Sequence, residues 1–404
     1  MTCYCSSFPV VAGIPIIQKG KNIDNIVSLI KAGQNLEALL TLMPLRDFSI
    51  PPIFRIFALL PGRVYSWFNK MLYEKASKEW HKKSSLLLID QKTKTTACDL
   101  LKFYMHNKEH YYYFAFRFGQ PRHLVALSFA TLIQRPGKPV LDLSCGCGHI
   151  TRNLVYRAKD SQVIGIDRFF LGLYIAKKWI APEAEYVCCP SDTALPFPDG
   201  LFSAIMCSDA FHYFINKAAA VNELKRLIQN EGHILLAWVR NARESSDGSP
   251  LPPEGYQNLV ADMPHRLVSD REILSRYLKG QGPPLAQATD IKYFHREPTL
   301  SIVASYKPEI FRNYGAFDEW PHAKGWLRLN PLYIQEEGDA SHIFIRRFPS
   351  RSYEEEHSES KNYLPERIEI YPKLLNDLEN GEFTSDMENL IKQCVLLDIP
   401  DMYI

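Results

Sequence analysis

Along this 404-residue chain the spacing of apolar positions passes from helical to strand-like and back. Near the N-terminus, Pro9–Val11 and Ile14–Ile17 are short β-type runs flanking Gly13, which predicts a small hairpin. From Asn22 to about Leu101 the period is helical. Ile23, Ile26, Val27 and Ile30 share a face, a stop follows near Gly33, and Leu36–Met43 is a further short apolar stretch. Ile53–Tyr73 mixes Phe54, Phe57, Tyr65, Trp67, Phe68 and Tyr73 with Arg55, Arg63 and Lys70. A helical hairpin with solvated basic residues accounts for it better than a lid meeting an apolar substrate or membrane surface. Lys108–Gln120 is dense in aromatics, and His123–Ile133 supplies one more helix before Pro136 and Gly137 break it.

From Val140 the pattern alternates. An apolar run ends at Asp142, a small-residue turn holds Gly146 and Gly148, and His149–Ala158 has helical spacing. Gln162–Asp167, Glu185–Cys189, Phe202–Cys207 and His233–Val239 read as further strands, with helices at Leu171–Ile180 and Lys217–Ile228. Strands alternating with helices imply right-handed crossovers and a parallel sheet. Residues 241–264 read as a long loop, Ser269–Leu278 as a helix, and Ile291–His295 with Thr299–Tyr306 as a closing antiparallel hairpin. Further on, Trp326–Tyr333 and Ser341–Phe348 can pair as strands, Ser350–Lys361 is charged and expected to be solvated, and Ile368–Leu378 and Met387–Leu397 are helical.

Composition narrows the class. With 46% hydrophobic and 23% charged residues the chain is an ordinary globular protein, and its formal charge of +2 gives no electrostatic footprint for nucleic acid. Nine scattered cysteines fit reduced thiols better than a disulfide framework. No cationic start with an apolar h-region is visible, and no apolar run nears the ~20 residues that span a bilayer. A cytoplasmic location is expected.

A strand, a glycine turn and a helix present backbone N–H groups to a ligand. A nicotinamide-type fingerprint needs a third glycine where Thr151 stands, and Asp142 before the turn would repel a pyrophosphate. The blocks "VLDLSCGCGHITRNL", "VIGIDRFFLGLYIAKK", "SDTALPFPDGLFSAIMCSDAFHYF" and "VNELKRLIQNEGHILLA" instead resemble, in order, the class I S-adenosylmethionine-dependent methyltransferases, in particular the ubiquinone/menaquinone-type group. The resemblance implies an α/β, Rossmann-like seven-stranded sheet with an antiparallel last strand, and S-adenosyl-L-methionine as cofactor. It implies that Asp142 and the backbone of Ser144, Cys145, Gly146 and Gly148 hold the methionine part. Asp167, with Arg168 beside it, would take the ribose hydroxyls, Asp192 and Thr193 the adenine, and Ser208 would lie near the methyl donor. Ser144 stands where the family has its first glycine, and Gln229-Asn-Glu-Gly232 replaces the usual Lys-Pro-Gly-Gly turn. Cys145 and Cys147 are read as small fillers of the turn, not metal ligands.

His212 is the candidate general base, weighed against a structural residue at a helix start, and Tyr111, Tyr112 and Tyr113 are candidate substrate contacts. "FPVVAGIPII" resembles the end of the zinc ribbon that precedes some bacterial methyltransferases. Cys3-x-Cys5 has the wrong spacing for its second Cys-x-x-Cys pair, so a degenerate hairpin without metal is expected. The organisation read is residues 1–20 a hairpin, 21–110 a helical cap, 111–306 the methyltransferase domain and 307–404 an α+β appendage, either completing a pocket or forming a homodimer surface. The expected substrate is a small, partly apolar metabolite. An rRNA or tRNA methyltransferase and a non-catalytic scaffold are the alternatives.

Overall fold

A computed structural model describes residues 7–18, 21–43, 62–89, 94–133, 137–230, 232–317, 327–336 and 342–404. The N-terminal hairpin forms from β1 (Val10–Val11) and β2 (Ile14–Pro15), turned at Ala12 and Gly13, both with positive φ. Helices α1 (Lys21–Lys31), α2 (Asn35–Leu42), α3 (Gly62–Ile89), α4 (Ala97–Tyr104), α5 (Lys108–Ala115) and α6 (Pro121–Ala130) follow. Thr96 and Asp99 close a capping box on α4, and α6 starts on a proline that needs no N–H there. Of the aromatic-basic stretch, residues 53–61 lie outside the described residues, and residues 62–73 begin the single long helix α3.

The sheet begins with β3 (Val140–Leu143), α7 (His149–Ala158), β4 (Val163–Asp167) and α8 (Phe170–Ile175), which runs on as a π-turn over Ala176–Ile180. It continues with β5 (Glu185–Cys188), β6 (Ala204–Ser208), α9 (Lys217–Ile228) and β7 (His233–Arg240). After it come α10 (Pro253–Leu259), β8 (His265–Ser269), α11 (Asp270–Tyr277) and β9 (Thr299–Ser305). The strand order is β5-β4-β3-β6-β7-β9-β8, with β3 to β7 parallel and β9 antiparallel to both its neighbours. This is the Rossmann-like seven-stranded sheet expected. Along β3, Val140 packs into one apolar cluster while Leu141 and Leu143 pack into the cluster on the opposite face, so the strand is apolar on both sides. The order of connections reverses at β3, and ligands of such sheets bind at the carboxyl ends flanking that point.

Two strand expectations change. The antiparallel partner of β9 is β8 and not Ile291–His295, which is a 3₁₀ turn capped by the Asp290 side chain and anchored by buried Phe294. The 241–264 stretch contains α10, whose Tyr256 is fully buried. The hairpin also does more than pack. Ile16 bridges Cys188 and the Ile17 N–H donates to the Cys188 carbonyl at 2.8 Å, so the chain covers the outer edge of β5.

Beyond residue 307 lie β10 (Leu327–Leu329), β11 (Tyr333–Gln335), β12 (Ile343–Arg346), α12 (Arg351–Glu356), β13 (Arg367–Glu369), α13 (Pro372–Glu379), α14 (Met387–Lys392) and β14 (Leu396–Asp398). β11 pairs with β12 and β12 with β13, whereas β10 pairs with β14 near the chain end. Ile368 and Leu396–Leu397 are therefore strand residues and not helical, and Pro372 marks where α13 begins. Ser350–Lys361 is not simply solvated: Tyr353 is buried, and Glu356 pairs with buried Arg122. No helix of the described residues is long and apolar enough to cross a membrane.

Candidate functional site

At the carboxyl end of β3 the backbone must turn sharply before α7, and left-handed residues make that turn. Ser144 has φ +58°, Gly146 +55° and Gly148 +77°. The serine accepts the conformation that the missing glycine would have taken, at roughly 1 kcal/mol of strain. Gly148 admits no side chain, because a Cβ would lie 2.8 Å from that of Ala176. Gly172 on α8 is bare for a similar reason: a Cβ there would meet the Gly146 carbonyl oxygen at 2.7 Å.

A cavity of about 170 Å³ opens over this turn. Asp142, Ser144, Cys145, Gly146, Asp167 and Ser208 line it, drawn from the ends of β3, β4 and β6. Asp142 is 2% exposed and accepts a 2.6 Å hydrogen bond from the Thr151 hydroxyl. Burial pushes its carboxyl up to about 7 against the pull of that bond. Asp167 accepts from the Gly146 N–H at 2.9 Å and the Phe169 N–H at 2.8 Å, and burial outweighs those bonds to raise its pKa. Two carboxylate oxygens offer about four lone-pair directions, so further donors can still be met. The buried Ser208 hydroxyl oxygen has no hydrogen-bond partner among the described residues.

The other expected residues divide. Tyr113 lines the cavity, whereas Tyr111 and Tyr112 pack as partly buried members of the core away from it. Cys145 and Cys147 are free thiols, both pushed well up by burial, with Cys147 in the core. Arg168 is exposed and faces a second cavity, of about 260 Å³, shared with α1 and α2. Asp192 and Thr193 sit on the loop after β5, outside the lining of the first cavity. His212 is fully buried and absent from that lining. Burial lowers its pKa to about 4, and neither ring nitrogen has a partner among the described residues.

Sequence reasoning passed over the polar wall opposite the turn. Asp209, at φ +57°, accepts through one oxygen from Tyr113 Oη at 2.9 Å, Arg117 Nη1 at 3.0 Å and Arg122 Nη1 at 2.9 Å. Burial opposes its ionisation, but the two guanidinium groups hold it well below the usual carboxylate range. Phe114 also lines the cavity, stacked on Phe169 and on His149. His149 Nε2 lies 2.7 Å from Tyr403 Oη, which donates to the Phe114 carbonyl. An acid directly after Ser208 and an arginine inside an aromatic run were signals available in the sequence; that they meet across 92 residues was not.

Residues 141–236 match the family model described as Methyltransferase domain. A demethylmenaquinone methyltransferase of Thermus thermophilus is 32% identical over 130 residues, covering 32% of this chain and 54% of that protein. A phthiotriol/phenolphthiotriol dimycocerosates methyltransferase of Mycobacterium ulcerans is 24% identical over 152 residues, 37% of this chain and 53% of the relative. Among solved structures, the YcgJ protein of Bacillus subtilis superposes with a TM-score of 0.33 at 17% identity, over 46% of this chain and 99% of that one. The chain spans about half the length of these curated relatives. The zinc-ribbon likeness of the N-terminus finds no support in these comparisons, and Cys3 and Cys5 lie outside the described residues.

Proposed function

We propose, on the premise that residues 141–236 are a class I S-adenosylmethionine-dependent methyltransferase domain, that this chain is a methyltransferase acting on a small, partly apolar molecule. The observation that carries the reading is the convergence of Asp142, the Ser144–Cys147 turn, Asp167 and Ser208 on one cavity at the switch point of the sheet. These residues fit the cofactor. The left-handed turn lets backbone approach closely, two acids suit a ligand with cationic groups, and the unpartnered Ser208 hydroxyl awaits a polar contact. Bound there, S-adenosylmethionine supplies an activated methyl group on a positively charged sulfur.

The chain's own residues then divide the work. Asp142 and the turn hold the methionine part, and Arg117 on the facing wall offers its guanidinium to the carboxylate end. Asp167 takes the ribose hydroxyls on the lone pairs that Gly146 and Phe169 leave open. Asp192 and Thr193 serve the adenine from the loop beyond, with Arg168 beside the ribose acid. Tyr113, with Phe114, gives the acceptor a surface that is aromatic on its face and polar at its tip. Aligning the acceptor in line with the methyl group supplies much of the acceleration, and a base is needed only where the nucleophile arrives protonated. His212, fully buried and outside the cavity lining, serves better as packing than as that base.

Labelled cofactor incubated with the chain and a cell extract tests the reading. Label is expected in the small-molecule fraction. Label confined to RNA, or none in any fraction, contradicts it.

A further inference from the structure

We infer that Glu356, far along the chain from the glycine turn, sets the charge balance of the cofactor cavity and so tunes its preference for the sulfonium cofactor over the neutral-sulfur product. The inference rests on the cofactor reading above. Arg117 and Arg122 are each 5% exposed in their side chains and both pair with Asp209, itself 3% exposed. Arg117 and Asp209 line the cavity and Arg122 does not, so in this cluster two guanidinium charges meet one carboxylate, which leaves one positive charge over on Arg122, a single hydrogen bond from the wall. Glu356 supplies the missing negative charge, with its Oε1 2.6 Å from Arg122 Nη2.

Its position is fixed from several sides. Ser350 caps α12, Gln120 Nε2 donates to Tyr353 Oη at 3.2 Å, and Arg240, paired with Asp247 at 3.0 Å, lies 3.5 Å from the same Glu356 oxygen. An arginine keeps its proton when a partner is lost, so removing Glu356 leaves an uncompensated charge on buried Arg122, directly against the Asp209 of the wall. S-adenosylmethionine and S-adenosylhomocysteine share the ammonium and carboxylate and differ by the charge and methyl on sulfur. Extra positive charge beside the wall therefore penalises the first more than the second. A residue that merely braced the fold would weaken both alike.

Calorimetry on the full chain at low salt, titrating each compound separately, reads the effect. Glu356→Gln should lower the ratio of S-adenosylmethionine to S-adenosylhomocysteine affinity about threefold, a modest shift because solvent screens a half-exposed carboxylate. Glu356→Asp should stay nearer the wild-type ratio, and Arg240→Gln, which removes a positive charge shared by Glu356 and Asp247, should shift the ratio upward. An unchanged ratio in both Glu356→Gln and Arg240→Gln, with both compounds still binding, overturns the proposal and leaves the cofactor reading intact. A wild-type chain that binds neither compound overturns the cofactor reading itself.

Discussion

In the proposed site, Asp142 links burial to binding. Its carboxyl is raised to about 7 chiefly by desolvation, so between about pH 4 and about pH 7 the folded chain holds a proton that the unfolded chain releases. This cost is absent below that window, grows as pH rises through it and is complete above it. A cationic ligand favours the ionised carboxylate, so binding should expel the proton. Cofactor affinity should therefore rise between about pH 5.5 and about pH 8, with proton release visible as a dependence of the calorimetric heat on buffer. Asp142→Asn should flatten that profile and weaken binding by about tenfold to a hundredfold, as expected for a lost hydrogen bond to a charged group. A profile equally steep in the variant would assign the proton elsewhere. At this scale, the sequence made the acids before and after the glycines legible because each closes an apolar run. Asp209 and Arg117 were not legible, since a buried ion pair leaves no periodic trace. Arg168 and His212 were placed by neighbourhood in the chain, which does not say which way a side chain turns.

Among the elements, α8 approaches the glycine turn closely. Gly172 stands where a Cβ would press on the Gly146 carbonyl and, at 2.6 Å, on the Phe169 ring. Gly172→Ala should cost about 1–3 kcal/mol in urea unfolding, as overpacking does, and should lower cofactor affinity because the turn must move. Wild-type stability together with wild-type affinity would contradict this account of the turn. The parallel core of the sheet was readable from alternation alone, since β3 to β7 are short apolar runs bounded by turns. The closing strands were less so. Ile291–His295 has a strand's composition, yet Asp290 caps a 3₁₀ turn there, and β8 takes the place beside β9. Short-range hydrogen bonding decided between two apolar segments of similar length.

At the scale of the whole chain, the C-terminal part buttresses the cavity wall from behind its lining residues. Tyr403 is fully buried, and its hydroxyl joins His149, at the start of α7, to the carbonyl of Phe114. The backbone N–H groups of Ala97 and Cys98 donate to the carbonyls of Met402 and Tyr403, so the tail also completes the start of α4. Tyr403→Phe should cost about 1–3 kcal/mol by leaving buried polar groups unpaired, measured by chemical denaturation. No loss of stability would show that the tail only covers the surface. None of this was legible in sequence, where residues 307–404 suggested strands and helices but no partner for them. The central claim concerns the cavity itself. It is tested most directly by calorimetric titration of S-adenosylhomocysteine into the wild-type chain and Asp167→Ala. The account predicts saturable one-site binding by the wild type and at least about tenfold weaker binding by the variant. Equal affinity in the two, or no binding by the wild type, would contradict it.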